Sequence, residues 1–289
     1  MKIHLIDGTY ELFRNHFGAP SKKSASGMEV GATLGLMRSL LMLLQSPDVT
    51  RVAVAFDHVI ESFRNKLYSG YKTGEGVDPI LMNQFPLAEK AASALGVVVW
   101  PMVKFEADDA LASATARFKN IKSVEQILIC SPDKDLTQLV EGKRIVCWDR
   151  RREIIIDEKG VVEKFGVKPE SIPDCLALVG DSADGYPGIQ GWGAKSTSTV
   201  LAKFKHIESI PKDPKKLPLG LGRATTLVEN LQQNYKDALL FRELSTLRED
   251  VPLKETLKDL EWQGAYPRLR KLCQELREER ITERVMKWR

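Results

Sequence analysis

Nine carboxylates in this chain sit where an α/β fold builds its sites. Asp7 closes one apolar run, Lys2–Ile6, and Asp57 closes another, Arg51–Phe56. Asp133 and Asp135 follow a third, Ile127–Cys130. Glu106, Asp108 and Asp109 stand at the head of an alanine-rich stretch that continues to Phe118, and Asp181 and Asp184 lie in a Gly180-Asp-Ser-Ala-Asp-Gly185 loop. In open parallel sheets, ligands collect at the carboxyl ends of the strands. Singly, each acid has an ordinary structural explanation: aspartate starts turns after strands, and acids in a first helical turn complement the helix dipole. Gathered on one edge they repel, and cations are what make the gathering tolerable. All-oxygen donors select Mg²⁺ or Mn²⁺ over zinc, and no histidine–cysteine set competes. Two such ions about 3.5–4 Å apart can clamp a phosphodiester, one activating water and the other stabilising the leaving oxygen. The chemistry expected is phosphodiester hydrolysis.

Those acids need a scaffold, and the hydrophobic pattern supplies one. Besides the three runs above, Val97–Trp100 reads as a strand, and Ile145–Trp148 with Glu153–Ile156 as a hairpin. Between them, Val30–Leu44, Phe85–Leu95 and Ala107–Phe118 read as helices, the first apolar nearly all round and therefore buried. Strands alternating with helices predict an α/β fold with a mostly parallel sheet over residues 1–160. Beyond residue 160 no convincing strand appears. Helices are expected over Val161–Phe165, Pro173–Leu178, Ser196–Phe204 and Ala224–Phe241, with Pro211–Leu219 as a surface loop. Tyr266–Arg289 reads as a charged amphipathic helix whose interspersed glutamates favour packing over DNA contact. Residues 161–289 are thus expected to form a helical part.

Composition narrows the function classes. With 289 residues, 43% hydrophobic and 28% charged, the chain has the balance of a globular protein with a real core. No apolar run approaches the eighteen or so residues that a membrane span requires. The opening, Met1-Lys-Ile-His-Leu-Ile-Asp7, carries an acid too early for a signal peptide, so a cytoplasmic location is expected. The cysteines, Cys130, Cys147, Cys175 and Cys273, form no C-x-x-C pair and read as reduced, buried thiols. A net charge of +4 permits a polyanionic partner without demanding one.

Five blocks carry a family resemblance. Leu5-Ile-Asp-Gly-Thr9, then Phe56-Asp57 with Phe63-Arg64 and Tyr71-Lys72, then Phe105-Glu-Ala-Asp-Asp109, Ser131-Pro-Asp-Lys-Asp-Leu136 and Gly180-Asp-Ser-Ala-Asp184 occur in family order. Together they resemble the 5′–3′ exonuclease domain of bacterial DNA polymerase I and the wider flap-endonuclease family. The resemblance runs almost the whole chain, through Glu243-Leu-Ser-Thr-Leu247, Val251-Pro-Leu253 and Trp262-Gln-Gly264. It implies a PIN-like nuclease domain over 1–160, and a DNA-binding part over 161–289 of helix–three-turn–helix type, with a helix–hairpin–helix at about 173–206. No polymerase domain follows, so a stand-alone enzyme is expected.

The resemblance also assigns roles. Asp7, Asp57, Glu106 and Asp108 would hold a first metal ion, and Asp109, Asp133, Asp135, Asp181 and Asp184 a second, some through water. Lys72 matches a lysine that approaches the scissile phosphate, and Arg14 and Arg64 match positions that contact the substrate; Lys72, Arg64 and Asp133 are the residues expected to bear on catalysis. Gly188-Ile-Gln-Gly191-Trp-Gly193-Ala-Lys195-Ser196 is similar to the family's hairpin. Closely spaced glycines there let backbone amides reach a phosphate, the helix N-terminus favours the anion, and Lys195 adds a contact blind to base sequence. A monovalent cation, K⁺, is implied at that hairpin. The implied substrates are DNA 5′ ends and 5′ flaps, with RNA in RNA–DNA hybrids as a secondary target, and no membrane. One departure stands out: after Lys72 the family often has a further basic residue, whereas this chain reads Thr73-Gly-Glu-Gly-Val77.

Three rival readings compete with the nuclease. A phosphate-binding loop of a kinase or ATPase needs glycine directly before its lysine, and Ala194 intervenes. An RNA-cutting PIN nuclease needs fewer acids and no hairpin. A non-catalytic DNA-binding protein on the same fold remains the alternative, although acids beside phosphates give a pure binder nothing.

Overall fold

The computed structural model describes all 289 residues. In chain order the elements of the first half are β1 (Lys2–Asp7), α1 (Gly8–Gly18), α2 (Gly31–Leu44), β2 (Arg51–Asp57), α3 (Arg64–Leu67), α4 (Pro79–Met82), α5 (Phe85–Ala94), β3 (Val98–Met102), α6 (Ala107–Phe118) and β4 (Gln126–Cys130). They are followed by β5 (Ile145–Asp149), β6 (Ile154–Ile156), α7 (Glu158–Phe165), α8 (Ile172–Val179), α9 (Ala194–Phe204), α10 (Leu221–Gln233), α11 (Tyr235–Ser245), α12 (Arg268–Glu275) and α13 (Arg280–Glu283). The chain packs as two units: Met1–Ile60, Gly74–Ser131 and Glu249–Arg289 form the first, Glu61–Thr73 and Pro132–Arg248 the second.

In the first unit, β1 lies between β2 and β4, and β3 adds beyond β2, all parallel. Strands buried on both faces read as continuous apolar runs, and Ile3, Leu5, Ile6, Val54, Phe56, Ile127 and Ile129 are each fully buried. Helix α6 packs against β1, β2 and β3. Helix α1, which the hydrophobic pattern did not reveal, starts at once after Asp7. Gly8 makes that possible: a Cβ there would lie 2.5 Å from the Phe56 ring and 2.7 Å from the Ala55 carbonyl. The turn therefore presses Asp7 against the end of β2.

The C-terminal segment, expected with the helical part, packs in the first unit. Val52 N–H donates to Leu260 O (2.9 Å), Trp262 N–H to Thr50 O (3.0 Å), Trp262 Nε1–H to Leu95 O (2.8 Å) and Val251 N–H to Ser113 Oγ (2.9 Å). Nor is Tyr266–Arg289 one helix. Arg277 takes φ 55°, a left-handed conformation that ends the first short helix, and α13 follows.

In the second unit, β5 and β6 pair antiparallel, in register Cys147↔Ile156. Helix α8 packs against α9 and α11. The single helix expected over Ala224–Phe241 is two, because Asn234 leaves helical geometry at φ −113°, ψ 27°. No helix in the chain is long and apolar enough to cross a membrane.

Candidate metal centre

The nine carboxylates fall into two sets, each within one unit. In the first unit, parallel pairing carries Asp7 and Asp57 to the same end of neighbouring strands, with Asp7 in register with Ala55. Hydrogen bonds then stitch the segments together. Asp7 caps α1, its Oδ1 accepting from Tyr10 N–H (2.8 Å), while its Oδ2 accepts from Ser131 Oγ–H (2.8 Å) at the end of β4. Thr9 Oγ1 accepts from Asp57 N–H (2.8 Å), and Asp57 Oδ1 accepts from Ala107 N–H (2.6 Å) at the start of α6. That last bond brings Glu106 and Asp108 beside Asp57. Asp109 is fully buried, and its Oδ2 accepts from Glu106 N–H (2.9 Å), which fixes the first turn of α6.

The second unit gathers Asp135, Asp181 and Asp184. All three are buried, and one oxygen from each lies within 4.8 Å of the others. Asp133 is exposed on the adjoining turn, its Oδ1 accepting from Asp135 N–H (2.8 Å). The 181–186 loop is closed by Asp181 N–H donating to Tyr186 O (2.9 Å) and Tyr186 N–H to Asp181 O (3.1 Å). Tyr186 is itself buried and stacks on Phe241 of α11, with ring centroids 5.5 Å apart. Gly185 has φ 87°, and a side chain there would run into the Gly70 carbonyl, so the loop lies directly on the 70–72 backbone.

That contact delivers Lys72. Its N–H donates to Asp184 O (2.9 Å), and its Nζ lies 3.0 Å from Asp184 Oδ1. Asn65 Nδ2–H donates to Lys72 O (2.9 Å), pinning the same residue from the other side. A second lysine, Lys134, contacts Asp181 Oδ2 closely and lies 3.4 Å from Asp135 Oδ1.

The electrostatics are those of crowded acids. Burial pushes the Asp135 carboxyl well above the usual carboxylate range; Asp133, Asp184 and Asp181 add to the push and Lys134 opposes it. Asp135 Oδ1 is buried without a hydrogen bond. Burial works against the Lys134 ammonium, but Asp135, the hydrogen bond to Asp181 and the charge of Asp133 outweigh it and hold its pKa above the ordinary lysine range. Burial, then the charges of Asp135, Asp184 and Asp181, push the Tyr186 phenol far above its usual range. A buried set of oxygen donors short of positive charge, with no histidine or cysteine among them, fits a hard divalent cation.

The basic residues expected to meet substrate fare differently. Arg14, on α1, is engaged by the buried Glu11 (2.5 Å) and by Ser39 Oγ (3.3 Å). Arg64 is 1% exposed. Its Nε–H donates to Leu244 O (2.7 Å) and its Nη2–H to Thr246 O (3.1 Å), tying α3 to the end of α11. In the glycine run, Gly188 and Gly191 take φ 72° and 84°. Trp192 is buried, its Nε1–H donating to Leu227 O (3.0 Å), and Asn230 Nδ2–H holds Gln190 O (2.8 Å). Gly193, Ala194 and Lys195 stand exposed at the N-terminus of α9, whereas Ser196 is buried and caps it, accepting from Gly193 N–H (3.2 Å).

Four residues that arrange the acids were not singled out from the sequence: Thr9, Asn65, Ser131 and Lys134. Thr9, Ser131 and Lys134 carried a signal, since they lie in the Leu5–Thr9 block and the Ser131–Leu136 block.

Known proteins share this architecture. Residues 2–166 match the 5′–3′ exonuclease N-terminal, resolvase-like domain, and residues 167–268 the 5′–3′ exonuclease C-terminal SAM fold. A 5′–3′ exonuclease of Aquifex aeolicus is 33% identical over 96% of this chain and 91% of its own length. DNA polymerase I of Bacillus caldotenax is 30% identical over 91% of this chain, matching 30% of that longer protein. Among solved structures, T5 5′-exonuclease with bound divalent metal ions (zinc) superimposes with a TM-score of 0.67 at 19% identity, covering 85% of this chain and 89% of that one. Matched along both of its domains and by relatives over nearly its whole length, the chain belongs to the 5′–3′ exonuclease family.

Proposed function

We propose that this chain hydrolyses DNA phosphodiesters at 5′ ends and 5′ flaps, with Mg²⁺ or Mn²⁺ as its cofactor. The observation that carries the reading is the buried trio Asp135, Asp181 and Asp184, whose oxygens converge within 4.8 Å in a chain of this family. These three, with Asp133, would hold one ion; Asp7, Asp57, Glu106 and Asp108 would hold the other, with Asp109 bracing the turn that carries Glu106. When bound, the ions supply a Lewis acid for the phosphoryl oxygens and an activated water.

The chain's own residues do the positioning. Ser131 and the amides of Tyr10 and Ala107 orient the Asp7 and Asp57 carboxylates before any ligand arrives. Lys72, clamped by Asp184 and Asn65, presents a fixed ammonium to the phosphate next to the scissile bond. The exposed amides of Gly193 and Ala194, with Lys195, take a backbone phosphate at the start of α9. The turn over 188–193 would hold K⁺. Arg64, being buried, acts on this reading by holding α3 and thereby the Asn65–Lys72 segment. Residues 1–160 supply most of the acids, and 161–289 the hairpin and helices that grip duplex. A cytoplasmic location fits the bacterial relatives, 5′–3′ exonucleases and DNA polymerase I.

The test is cleavage of a labelled 5′-flap duplex with and without Mg²⁺ or Mn²⁺, comparing wild type with Asp133→Asn and Asp181→Asn. Metal-dependent products near the flap junction, lost in the variants, are the expected result, and product lengths separate endonuclease from exonuclease action. Tight binding of the flap with no product under either metal would instead establish the non-catalytic DNA-binding reading.

A further inference from the structure

Lys134 occupies the place where a cation would be drawn in the second unit. Its ammonium contacts Asp181 Oδ2 and lies 3.4 Å from Asp135 Oδ1, so it engages two of the three carboxylates that converge there. Lys72 covers the third, 3.0 Å from Asp184 Oδ1. The two lysines are not equivalent. Lys72 is fixed through its main chain on both sides, by Asp184 and by Asn65. Lys134 stands at the head of the short 3₁₀ turn Asp135–Leu139, and its side chain is 36% exposed. A lysine stem is flexible and its ammonium is a compact point charge, so that side chain can swing into solvent while the turn stays in place.

We infer that Lys134 is a built-in counter-ion for this site: it neutralises Asp135 and Asp181 in the metal-free protein, competes with the divalent cation for the same oxygens, and is released when the cation binds. The inference rests on the reading that Asp135, Asp181 and Asp184 hold a divalent ion. Its physical basis is direct. A carboxylate oxygen contacted by an ammonium cannot take a divalent ion at bonding distance without losing the ammonium, because like charges that close repel strongly. Two consequences follow. The lysine keeps the apoprotein's acids from forcing the 181–186 loop apart, and it raises the cation concentration at which the site fills. Once released, the ammonium stands beside the site, where an incoming phosphodiester offers it a new anion.

The test measures Mn²⁺ binding by calorimetry in wild type, Lys134→Met and Asp181→Asn, without DNA. Lys134→Met should bind Mn²⁺ about three- to tenfold more tightly, the range expected for removing two partly exposed ion pairs, and at the site that Asp181→Asn abolishes. A second measurement uses wild type alone: acetylation of lysines by N-hydroxysuccinimide acetate, read by peptide mass spectrometry across a Mn²⁺ titration. The Lys134 amine should become more reactive in step with site occupancy, while the amine of a remote surface lysine, Lys159, stays constant. If Lys134→Met binds as wild type does while Asp181→Asn loses the site, the counter-ion role is overturned and the metal reading stands. Unchanged labelling of Lys134 at full occupancy overturns it equally. If wild type and Lys134→Met both fail to bind Mn²⁺ at millimolar concentration, the metal reading itself falls and takes this inference with it.

Discussion

Asp7 and Asp57 in the first unit are oriented by main-chain N–H groups and a serine hydroxyl, whereas Asp135, Asp181 and Asp184 in the second lie against lysine ammonium groups. The difference separates two ways of keeping acids close. An N–H or O–H donor aims a carboxylate and leaves its charge in place, which suits a ligand set organised before the cation arrives. An ammonium cancels charge and must yield when a cation comes, which makes the second set the adjustable one.

The largest expected effect bears on both sets alike. Asp7→Asn and Asp181→Asn should each lower the single-turnover rate on a 5′-flap duplex by about 10²–10³-fold, the scale for losing one preorganised electrostatic group. Full activity in Asp7→Asn would remove the first set from the reaction and leave the second to act alone. Next comes the scaffold of the second unit. Arg64→Met should destabilise the fold by about 3 kcal/mol, because the buried Leu244 carbonyl and the part-buried Thr246 carbonyl lose a charged donor; urea unfolding midpoints measure it, and an unchanged midpoint would mean that Arg64 is not the tie between α3 and α11. The third prediction sharpens the contrast in charge. Mg²⁺ at about a hundred times its dissociation constant should raise wild-type stability by about 2.7 kcal/mol, and thermal melts of Asp181→Asn should retain only the share that belongs to the first set. Smallest is Ser131→Ala, which should cost about 1.5 kcal/mol for one hydrogen bond to a carboxylate and barely alter melting in chelator against Mg²⁺. A larger loss of metal response in that variant would show that the serine governs ion binding as well as carboxylate orientation.

The strand-end acids were legible because a buried parallel strand writes itself as an unbroken apolar run, and the acid that ends it marks the sheet edge. Lys2–Asp7 and Arg51–Asp57 read this way, and Gln126–Cys130 is followed by Asp133 three residues on. Helix α1 was not legible. It opens with glycine, a poor helix former, and starts without a linker, so its signal is the close approach of Gly8 to β2 and not a propensity. The helix expected over Ala224–Phe241 failed at Asn234 for a related reason: apolar spacing continues across a break that one residue's backbone makes. Arg64 illustrates the same limit for a side chain. Its place in a motif indicates a basic residue near the site, but its burial against Leu244 and Thr246 comes from residues 180 and more positions away.

By itself the sequence determined which acids end strands, that their oxygen donors call for a hard cation, and which family the blocks resemble. These follow from residue type and from periods of two or four residues, which local chemistry enforces. Only the tertiary structure decided that Lys134 and Lys72 divide the second carboxylate set between them, that Ser131 aims Asp7 across two strands, and that Glu249–Arg289 packs within the first unit. Apart from Lys134 with its neighbour Asp135, each of those pairings joins segments far apart in the chain, where the partner is chosen by packing and charge balance in three dimensions and leaves no periodic mark on the residues that make it.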